Sequence, residues 1–574
     1  MTSESHRIVP RTLVLCMGVA LILGACAPAG QGVGREQAAP AAATPKTLRV
    51  GIINDAEPKE FGVAFGTLSA GASEPRYLLH APMTIYDDSG ALQPRIVERV
   101  PTIENGDWTV RPDGKMELTW KLRPDVRWHD GQPLTAEDIV LGFKIAIDPE
   151  FSLGTSVLRQ MSEVSARDPL TLVVGWKNVY IFANDMGLNT LVPIPSHKIT
   201  PAYEAGDKVG FAASPAWGDQ WIGLGPYKMS EWQRGSSIDV VANDDYFLGR
   251  PKIDRISLRY FGDTRSLIVA TMAGHIDVVT VGSMKSEEAH VLRTEWEAAG
   301  NGSVVISANK LRNGDFAWRD PAAPWAADVR VRRAMTHLLD RESMVETLHN
   351  GIASVDDIML PRSIPAYRLA QQKGLPRLNY DVSLAGRLLA DAGLTRASDG
   401  VYRTPAGAPF TVELNTTNDI NTNVQELQVV ASAWKTAGIE STAVYISGSM
   451  DKDAVRGQSQ GITLTSTTLG DRAFEGYITS EIRSESTRWK GSNIGGYSNA
   501  SYDDLNRRLL QTLSADDRTP IAAEMVKMQL DEMMYMPLVY SVDVSANGKG
   551  VRGITQVLPA QRINAWNIHL WAMD

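Results

Sequence analysis

Both cysteines of this 574-residue chain, Cys16 and Cys26, lie near its N-terminus, and the rest of the sequence contains none. No disulfide can therefore form within the body of the protein, so its stability has to come from the size of its hydrophobic core. Hydrophobic residues make up 43% of the chain, and a single core stops growing at roughly 250 to 300 residues. The sequence therefore predicts a large body with more than one lobe.

The N-terminal segment has the pattern of an export signal. Two arginines precede an uncharged stretch over residues 13–25, which is too short for a membrane-spanning helix of ~20 residues and suits the apolar core of a signal peptide. The stretch ends in Leu23-Gly24-Ala25-Cys26, which resembles the lipobox of bacterial lipoproteins. We predict a signal peptide over residues 1–25 and acylation of Cys26. The alternative is an ordinary signal peptide in which this cysteine is incidental.

The segment after Cys26 has the composition of a spacer. Residues 27–45 consist almost entirely of Ala, Pro, Gly, Gln and Thr, without apolar periodicity. Such a segment cannot bury enough surface to fold. We therefore predict a flexible linker over residues 26–45 and a folded body that begins near residue 48.

The charge of the chain excludes some partners. Its formal net charge is −9 and it contains no run of basic residues, which argues against nucleic acid and against a polybasic membrane-binding surface. No later segment is apolar for long enough to cross a membrane. The predicted attachment to a membrane is therefore through lipid on Cys26.

The body alternates strand-like and helix-like segments. Residues 116–122 alternate apolar and polar side chains, as a strand with one buried face does. Thr135 and Asp138 then form a capping box before a helix. Residues 256–261, 264–273 and 276–280 predict a strand, a helix and a returning strand, a unit that belongs to a largely parallel sheet. Further elements are predicted at 329–339, 381–393 and 424–438, all helices, and at 443–446, a strand.

Residues 122–140, LRPDVRWHDGQPLTAEDIV, resemble the hallmark segment of the dipeptide, oligopeptide and nickel class of solute-binding proteins, which serve ABC importers. Other segments resemble the same class in the same order, and together the matches cover most of the chain after the linker: residues 223–227, 243–246, 249–254, 273–278, 328–334 and 380–393. On these segments the chain is identified as a member of that class.

The resemblance implies an α/β fold of the type II periplasmic-binding-protein kind, with two lobes, a hinge, a ligand cleft between the lobes and an extra domain. Because the first lobe of this class is discontinuous, we expect the chain to cross the hinge more than once. The predicted division is lobe 1 over residues 46–80, 220–305 and 535–574, the extra domain over 81–219, and lobe 2 over 306–534.

The resemblance also indicates where ligand contacts are to be sought. Peptide-binding members use an aspartate for the amine of the peptide. The comparable residue here is Asp471, although no tryptophan lies near it as in those members; the alternative is a surface carboxylate. The other candidate contacts are Arg76, Tyr77, Trp318, Trp325, Asn493 and Tyr497. For both tryptophans, packing in the core or between the lobes is the stronger alternative.

The sequence lacks the common catalytic motifs. It has neither H-E-x-x-H among its nine histidines nor a Walker loop, and residues 496–500 lack the last glycine of a nucleophile elbow. His129 beside Asp130 could be read as an acid/base pair, but a structural turn is the better interpretation. We predict no enzymatic activity, no cofactor and no metal site.

Taken with the predicted anchor, the resemblance implies a monomeric, lipid-anchored receptor outside the cytoplasm, in the periplasm or at the cell surface. Such a receptor captures a small solute, in the first instance a peptide, and delivers it to the permease subunits of an ABC transporter. Two alternatives stay open. One is the same receptor for an oligosaccharide or another non-peptide solute, and the other is a signalling or interaction protein that has lost transport.

Overall fold

The computed structural model describes residues 45–53, 57–58, 60–62, 73–151, 156–418, 421–447, 450–559 and 561–574. The predicted signal peptide, Cys26 and nearly all of the predicted linker lie outside these residues. The residues from Pro45 onward cluster into one compact unit.

The strands fall into one large sheet and several small ones. In chain order they are β1 (Thr47–Ile53), β2 (Thr84–Tyr86), β3 (Leu92–Pro94), β4 (Trp108–Val110), β5 (Met116–Lys121), β6 (Met161–Asp168), β7 (Thr171–Trp176), β8 (Tyr227–Gln233), β9 (Ser237–Ala242), β10 (Arg255–Phe261), β11 (Val278–Val279), β12 (Gly302–Phe316), β13 (Thr395–Arg396), β14 (Tyr402–Arg403), β15 (Thr411–Thr417), β16 (Glu440–Ile446), β17 (Ile462–Thr468), β18 (Tyr535–Gly548), β19 (Val551–Arg552) and β20 (Ala572–Met573).

Helices cover the sheets and fill the connections. They are α1 (Ser73–Leu79), α2 (Ala136–Ile147), α3 (Ser156–Gln160), α4 (Ser196–Glu204), α5 (Lys208–Ala212), α6 (Thr264–Met272), α7 (Ser286–Val291), α8 (Pro324–Ala327), α9 (Val329–His337), α10 (Arg341–His349), α11 (Pro365–Gln372), α12 (Val382–Asp391), α13 (Asn421–Ala437), α14 (Lys452–Gln458), α15 (Ala500–Gln511) and α16 (Ala515–Asp531). Short 3₁₀ or π helices lie at Pro215–Trp217, Leu292–Glu297, Asp471–Tyr477, Thr479–Glu481 and Ala565–Leu570.

The large sheet has ten strands in the order β16-β15-β17-β12-β18-β11-β1-β10-β9-β8. One half contains β1 parallel to β10 and β11, and the other contains β15 parallel to β16 and β17. The long antiparallel strands β12 and β18 join the halves, since β11 pairs with the end of β18 and β17 with the end of β12. The chain therefore passes from one half to the other along β12 and returns along β18.

A separate antiparallel sheet has the order β4-β5-β7-β6. It lies within the range predicted for the extra domain, and α2 packs against β6 and β7. The two sheets and their helices form the mixed α/β, two-lobed architecture expected of the class. The predicted boundaries of the lobes and of the extra domain stay predictions.

The locally predicted elements are largely confirmed. The predicted strand at 116–122 is β5, the helices at 329–339, 381–393 and 424–438 are α9, α12 and α13, and the strand at 443–446 lies within β16. In the strand–helix–strand unit, the Asp263 carboxylate caps α6 by accepting from the Ser266 N–H. The returning strand is shorter than predicted, because only Val278 and Val279 pair with β1.

Asp138 holds the hallmark segment together. Its buried carboxylate accepts from the backbone N–H of Thr135 at 2.8 Å, as the predicted capping box requires. It also accepts from the Trp128 indole at 3.1 Å and from the Ser196 N–H at 2.9 Å. The cap therefore joins the start of α2 to the preceding turn and to the start of α4, a connection beyond what the local pattern predicts.

His129 and Asp130 point to different partners. The Gly223 N–H donates to His129 Nδ1 at 3.3 Å, so His129 Nε2 carries the proton that is donated to the Gly225 carbonyl, 3.1 Å away. Asp130 contacts His197 at 2.8 Å instead. Gly223 has to be glycine because a Cβ there would overlap the Leu79 carbonyl oxygen. The pair is thus a structural turn bound to the 223–227 loop.

Candidate ligand-binding cleft

Two adjoining cavities of about 890 and 490 Å³ lie between two walls. The first wall consists of the residues around β2 and those that follow β7. The second wall consists of the residues that follow β17 and of parts of α11 and α16. Both cavities are lined by Tyr86 and Phe182 of the first wall and by residues 469–471 of the second. Shared lining of this kind makes the pair one continuous cleft, and its size suits a drug-sized or short peptide ligand.

The second wall places Asp471 at the centre of this cleft. The preceding backbone is fixed by two hydrogen bonds, from the Leu469 N–H to the Asn309 carbonyl at 3.1 Å and from the Gly470 N–H to the Met359 carbonyl at 3.0 Å. Asn309 belongs to β12, so the Asp471 segment is attached directly to a strand that joins the two halves of the sheet. Gly470 has a φ of 138°, a conformation that other residues avoid.

The Asp471 carboxylate is desolvated. Burial raises its pKa, and the nearby positive charge of Arg518 partly opposes that shift. Arg518 lines the larger cavity and donates to the carbonyls of Thr512 and Leu513 at 3.0 and 2.7 Å. The cleft therefore holds a carboxylate and, further along, a guanidinium positioned by the C-terminal end of α15.

The first wall contributes a second carboxylate. Asp185 lines the smaller cavity, where burial raises its pKa while Arg472 and a hydrogen bond from Tyr86 lower it. The Tyr86 backbone is paired in both directions with the Gln561 side chain, each contact 3.0 Å long. Tyr77 lines the same cavity, and burial raises the pKa of its hydroxyl to about 12.

Arg472 connects the two walls. Its guanidinium, on the second wall, donates to the Tyr180 hydroxyl at 3.2 Å and lies 4.9 Å from the centre of the Phe182 ring. Both aromatic residues follow β7 on the first wall. This arrangement gives the smaller cavity one guanidinium and two carboxylates, of Asp185 and Asp471.

Of the residues predicted from the sequence, Tyr77 and Asp471 line the cleft. Arg76 lies behind the first wall, where it is buried and donates to the Asn189 side chain and to the carbonyls of Gly62 and Leu188.

The other four predicted residues pack on the second-wall side, outside the lining of both cavities. Trp325 donates to the Ala317 carbonyl, Asn493 bonds to the 478–497 backbone, and Trp318 packs edge-on against Tyr497. Their role as ligand contacts stays a prediction.

Several lining residues were not predicted from the sequence, among them Tyr86, Phe182, Asp185, Arg472 and Arg518. They belong to a strand end, to turns and to the first turns of helices, with no local motif. Only Arg472, next to Asp471, was within reach of sequence reasoning.

Comparison with known proteins assigns the chain to a family. A family model described as bacterial extracellular solute-binding proteins, family 5 Middle, matches residues 99–471. The chain belongs to family 5 of the bacterial extracellular solute-binding proteins. As a family 5 member it is a solute-binding receptor of the kind that works with ABC permeases.

Relatives with a stated ligand agree with this assignment. The chain is 24% identical over 438 residues to the oligopeptide-binding protein AppA of Bacillus subtilis, which is 75% of this chain and 74% of AppA.

Two solved structures share its fold over 92% of this chain and 100% of theirs. AppA from Bacillus subtilis in complex with a nonapeptide has a TM-score of 0.66 at 21% identity. NikA from Brucella suis in complex with Fe(III)-EDTA has a TM-score of 0.71 at 18% identity.

Two further observations concern the described part of this family 5 protein. None of its helices is both long and apolar enough to cross a membrane. Within the same residues, no group of three or more His, Cys, Asp or Glu side chains could hold a metal ion.

Proposed function

We propose that this protein binds peptides in the cleft and delivers them to the permease of an ABC transporter. The observation that carries the proposal is the position of Asp471. It lines both cavities, it is desolvated, and the described residues offer its side chain no ion pair. It is also the residue that the family resemblance assigns to the amine of a peptide. A protonated amine would supply the missing charge-assisted hydrogen bond.

The free edge of β17 supports a peptide over other solutes. On that side β17 pairs with β15 only at Ile462 and Thr463, so the described residues place no strand beside the rest of the edge. Its last residues, Thr467 and Thr468, line the smaller cavity. An extended peptide could pair with such an edge through its main chain, which gives affinity without a requirement for particular side chains.

The lining of the larger cavity fits a ligand whose side chains are variable and mainly apolar. It contains many aliphatic and aromatic residues, and Glu104, Asp471 and Arg518 are the charged side chains that line it within the described residues. Apolar walls with few polar groups are typical of ligand sites. Arg518 is the cation among these charged side chains, available to a carboxylate of the solute.

We also propose that Cys26 carries the lipid anchor and that the lobes close about β12 and β18 when the ligand binds. Closure requires only that the ligand bind the closed form better than the open one. Metabolic labelling with a radioactive fatty acid tests the anchor: label should enter the wild-type chain and be lost in Cys26→Ser.

The decisive experiment for the ligand is native mass spectrometry of the purified full-length chain, followed by denaturation and identification of what is released. A heterogeneous set of short peptides would support the proposal, and Asp471→Asn should then weaken binding of a released peptide about 10- to 100-fold. Release of a sugar or a metal chelate would overturn it. An empty chain that binds no member of a tri- to nonapeptide library would overturn it as well.

A further inference from the structure

The smaller cavity is acidic on both walls. Asp185, from the loop after β7, and Asp471, from the loop after β17, both line it. The two side chains come from different sheets and meet only because the cleft brings their loops together. A cationic group in this cavity would therefore be approached by a carboxylate from each side.

Each carboxylate has a guanidinium in its neighbourhood, Arg472 for Asp185 and Arg518 for Asp471. In the described part of the chain, however, no lysine or arginine forms an ion pair with either of them. The contacts of the Arg472 guanidinium are with the Tyr180 hydroxyl and the Phe182 ring. Both side chains are partly buried, and desolvation disfavours the charged form of each carboxylate. A cationic group of a ligand would offset that cost.

Asp185 is also positioned as a ligand group would be. Tyr86 lies close enough to lower the pKa of Asp185, and the Tyr86 backbone is held by the Gln561 side chain. The carboxylate keeps acceptor positions for a ligand, since an ionised carboxylate can accept about four hydrogen bonds. A protonated amine has three donors, which two facing carboxylates can share.

We propose that Asp185 is a second specificity-determining residue, which together with Asp471 binds the protonated amine of the solute from the opposite wall. With Arg472 counted, the smaller cavity has one excess negative charge, so one cationic group balances it. The solute would be a peptide with a free amino terminus and an apolar body that occupies the larger cavity. This inference rests on the proposed function.

The test uses the purified full-length chain and isothermal titration calorimetry with one apolar peptide that it binds, in free and N-acetylated forms. Wild type should bind the free form at least about 10-fold more tightly. Asp185→Asn should weaken binding of the free form about 10- to 100-fold and leave that of the acetylated form within about 2-fold. Glu163→Gln removes the same charge from an exposed position on β6 and should change the affinity for neither form of the peptide.

A second readout separates a ligand role from a structural one. If Asp185 serves the ligand, the melting temperature of the ligand-free Asp185→Asn protein should be equal to or above that of wild type. A fall of several degrees would make Asp185 a structural carboxylate and overturn the inference.

A failure of this inference can be distinguished from a failure of the proposed function. If wild type binds the free and the acetylated peptide equally, or if Asp471→Asn weakens binding while Asp185→Asn does not, the peptide receptor stands and this inference is wrong. If no peptide in either form binds, the proposed function fails and the inference fails with it.

Discussion

Two histidines, buried His80 and part-buried His129, bind the same loop in the same way. Each accepts a backbone N–H at Nδ1, from Leu224 and Gly223 respectively, and each Nε2 contacts a backbone carbonyl. Both rings are therefore neutral. Burial lowers the pKa of His80 to about 3 and that of His129 to about 4. Protonation of either ring would break a hydrogen bond to the 223–227 loop.

This geometry makes stability depend on pH. A histidine whose pKa is lower in the folded than in the unfolded chain stabilises the protein above pH ~6.5, and the stabilisation is lost as the pH falls toward the folded value. We expect the unfolding free energy of wild type, relative to that of His129→Gln, to fall by ~1.4 kcal/mol per pH unit between pH 6.5 and 4.5. Urea titrations at several pH values measure it.

The comparison of wild type with His129→Gln removes the contributions that both proteins share. One of these is from buried Glu74, because desolvation raises the pKa of its carboxyl to about 7. His290→Gln, which removes an exposed histidine, is the matched control. A constant difference between wild type and His129→Gln across this pH range would show that folding does not lower the pKa of His129.

Gly470 is a second residue whose local conformation matters. Its φ of 138° is strained for any residue with a Cβ, although no atom lies within 4 Å of the place where a Cβ would stand. Gly470→Ala should therefore lower the unfolding free energy by about 1–2 kcal/mol through backbone strain alone. Gly476→Ala, in the 3₁₀ helix that directly follows Gly470, with equal space and no positive φ, should cost clearly less. Equal urea midpoints for the two variants would contradict this account.

At the scale of elements, Asp138 shows how one cap connects a helix to its surroundings. Its carboxylate accepts from four donors: the Thr135 N–H and hydroxyl at the helix start, the Trp128 indole in the preceding turn and the Ser196 N–H of α4. Asp138→Ala leaves these buried and part-buried donors without their partner, so we expect a loss of about 3 kcal/mol or more. Glu137→Ala, exposed in the same first turn, should change stability by less than about 0.5 kcal/mol. Urea unfolding monitored by tryptophan fluorescence compares the stabilities of the two variants.

Strands β12 and β18 are the elements that link the two halves of the large sheet. Their pairing is irregular between Ala308 and Lys310 and again between Leu311 and Asn313. Ser541 of β18 donates to the Asn309 side chain at 2.9 Å in this region, and the Asn309 carbonyl accepts from Leu469. The junction is therefore bonded directly to the loop that presents Asp471, so a displacement of one half of the sheet would move this carboxylate.

At the scale of the whole molecule, the contact of Arg472 with Tyr180 and Phe182 bridges the two walls through protein side chains alone. It should favour closed conformations, since it can form only when the walls are near each other. We expect Arg472→Ala to have a larger radius of gyration than wild type in small-angle X-ray scattering without ligand, and to become more compact when a peptide binds. Arg507→Ala, which removes a surface arginine paired with Asp504, should scatter as wild type does. An unchanged radius for Arg472→Ala would exclude this contact as a determinant of closure.

The sequence by itself determined the local elements and the family of this protein. The alternation of β5, the caps at Asp138 and Asp263 and the stripes of α9, α12 and α13 depend on neighbours a few residues apart, which periodicity reports directly. The hallmark segment at 122–140 is recognisable because its turn and cap are also local. The family then implied the two-lobed fold and pointed to Asp471.

Only the tertiary structure decided which side chains line the cleft. Tyr86, Asp185 and Arg472 come from a strand end, a turn and a 3₁₀ helix that are far apart in sequence, and their distances depend on how the two walls pack. The same packing placed Trp325 and Asn493 among backbone partners and not in the lining of either cavity. No local pattern distinguishes these outcomes, because a polar or aromatic residue in a loop has the same sequence signature whether it faces a cavity or the interior.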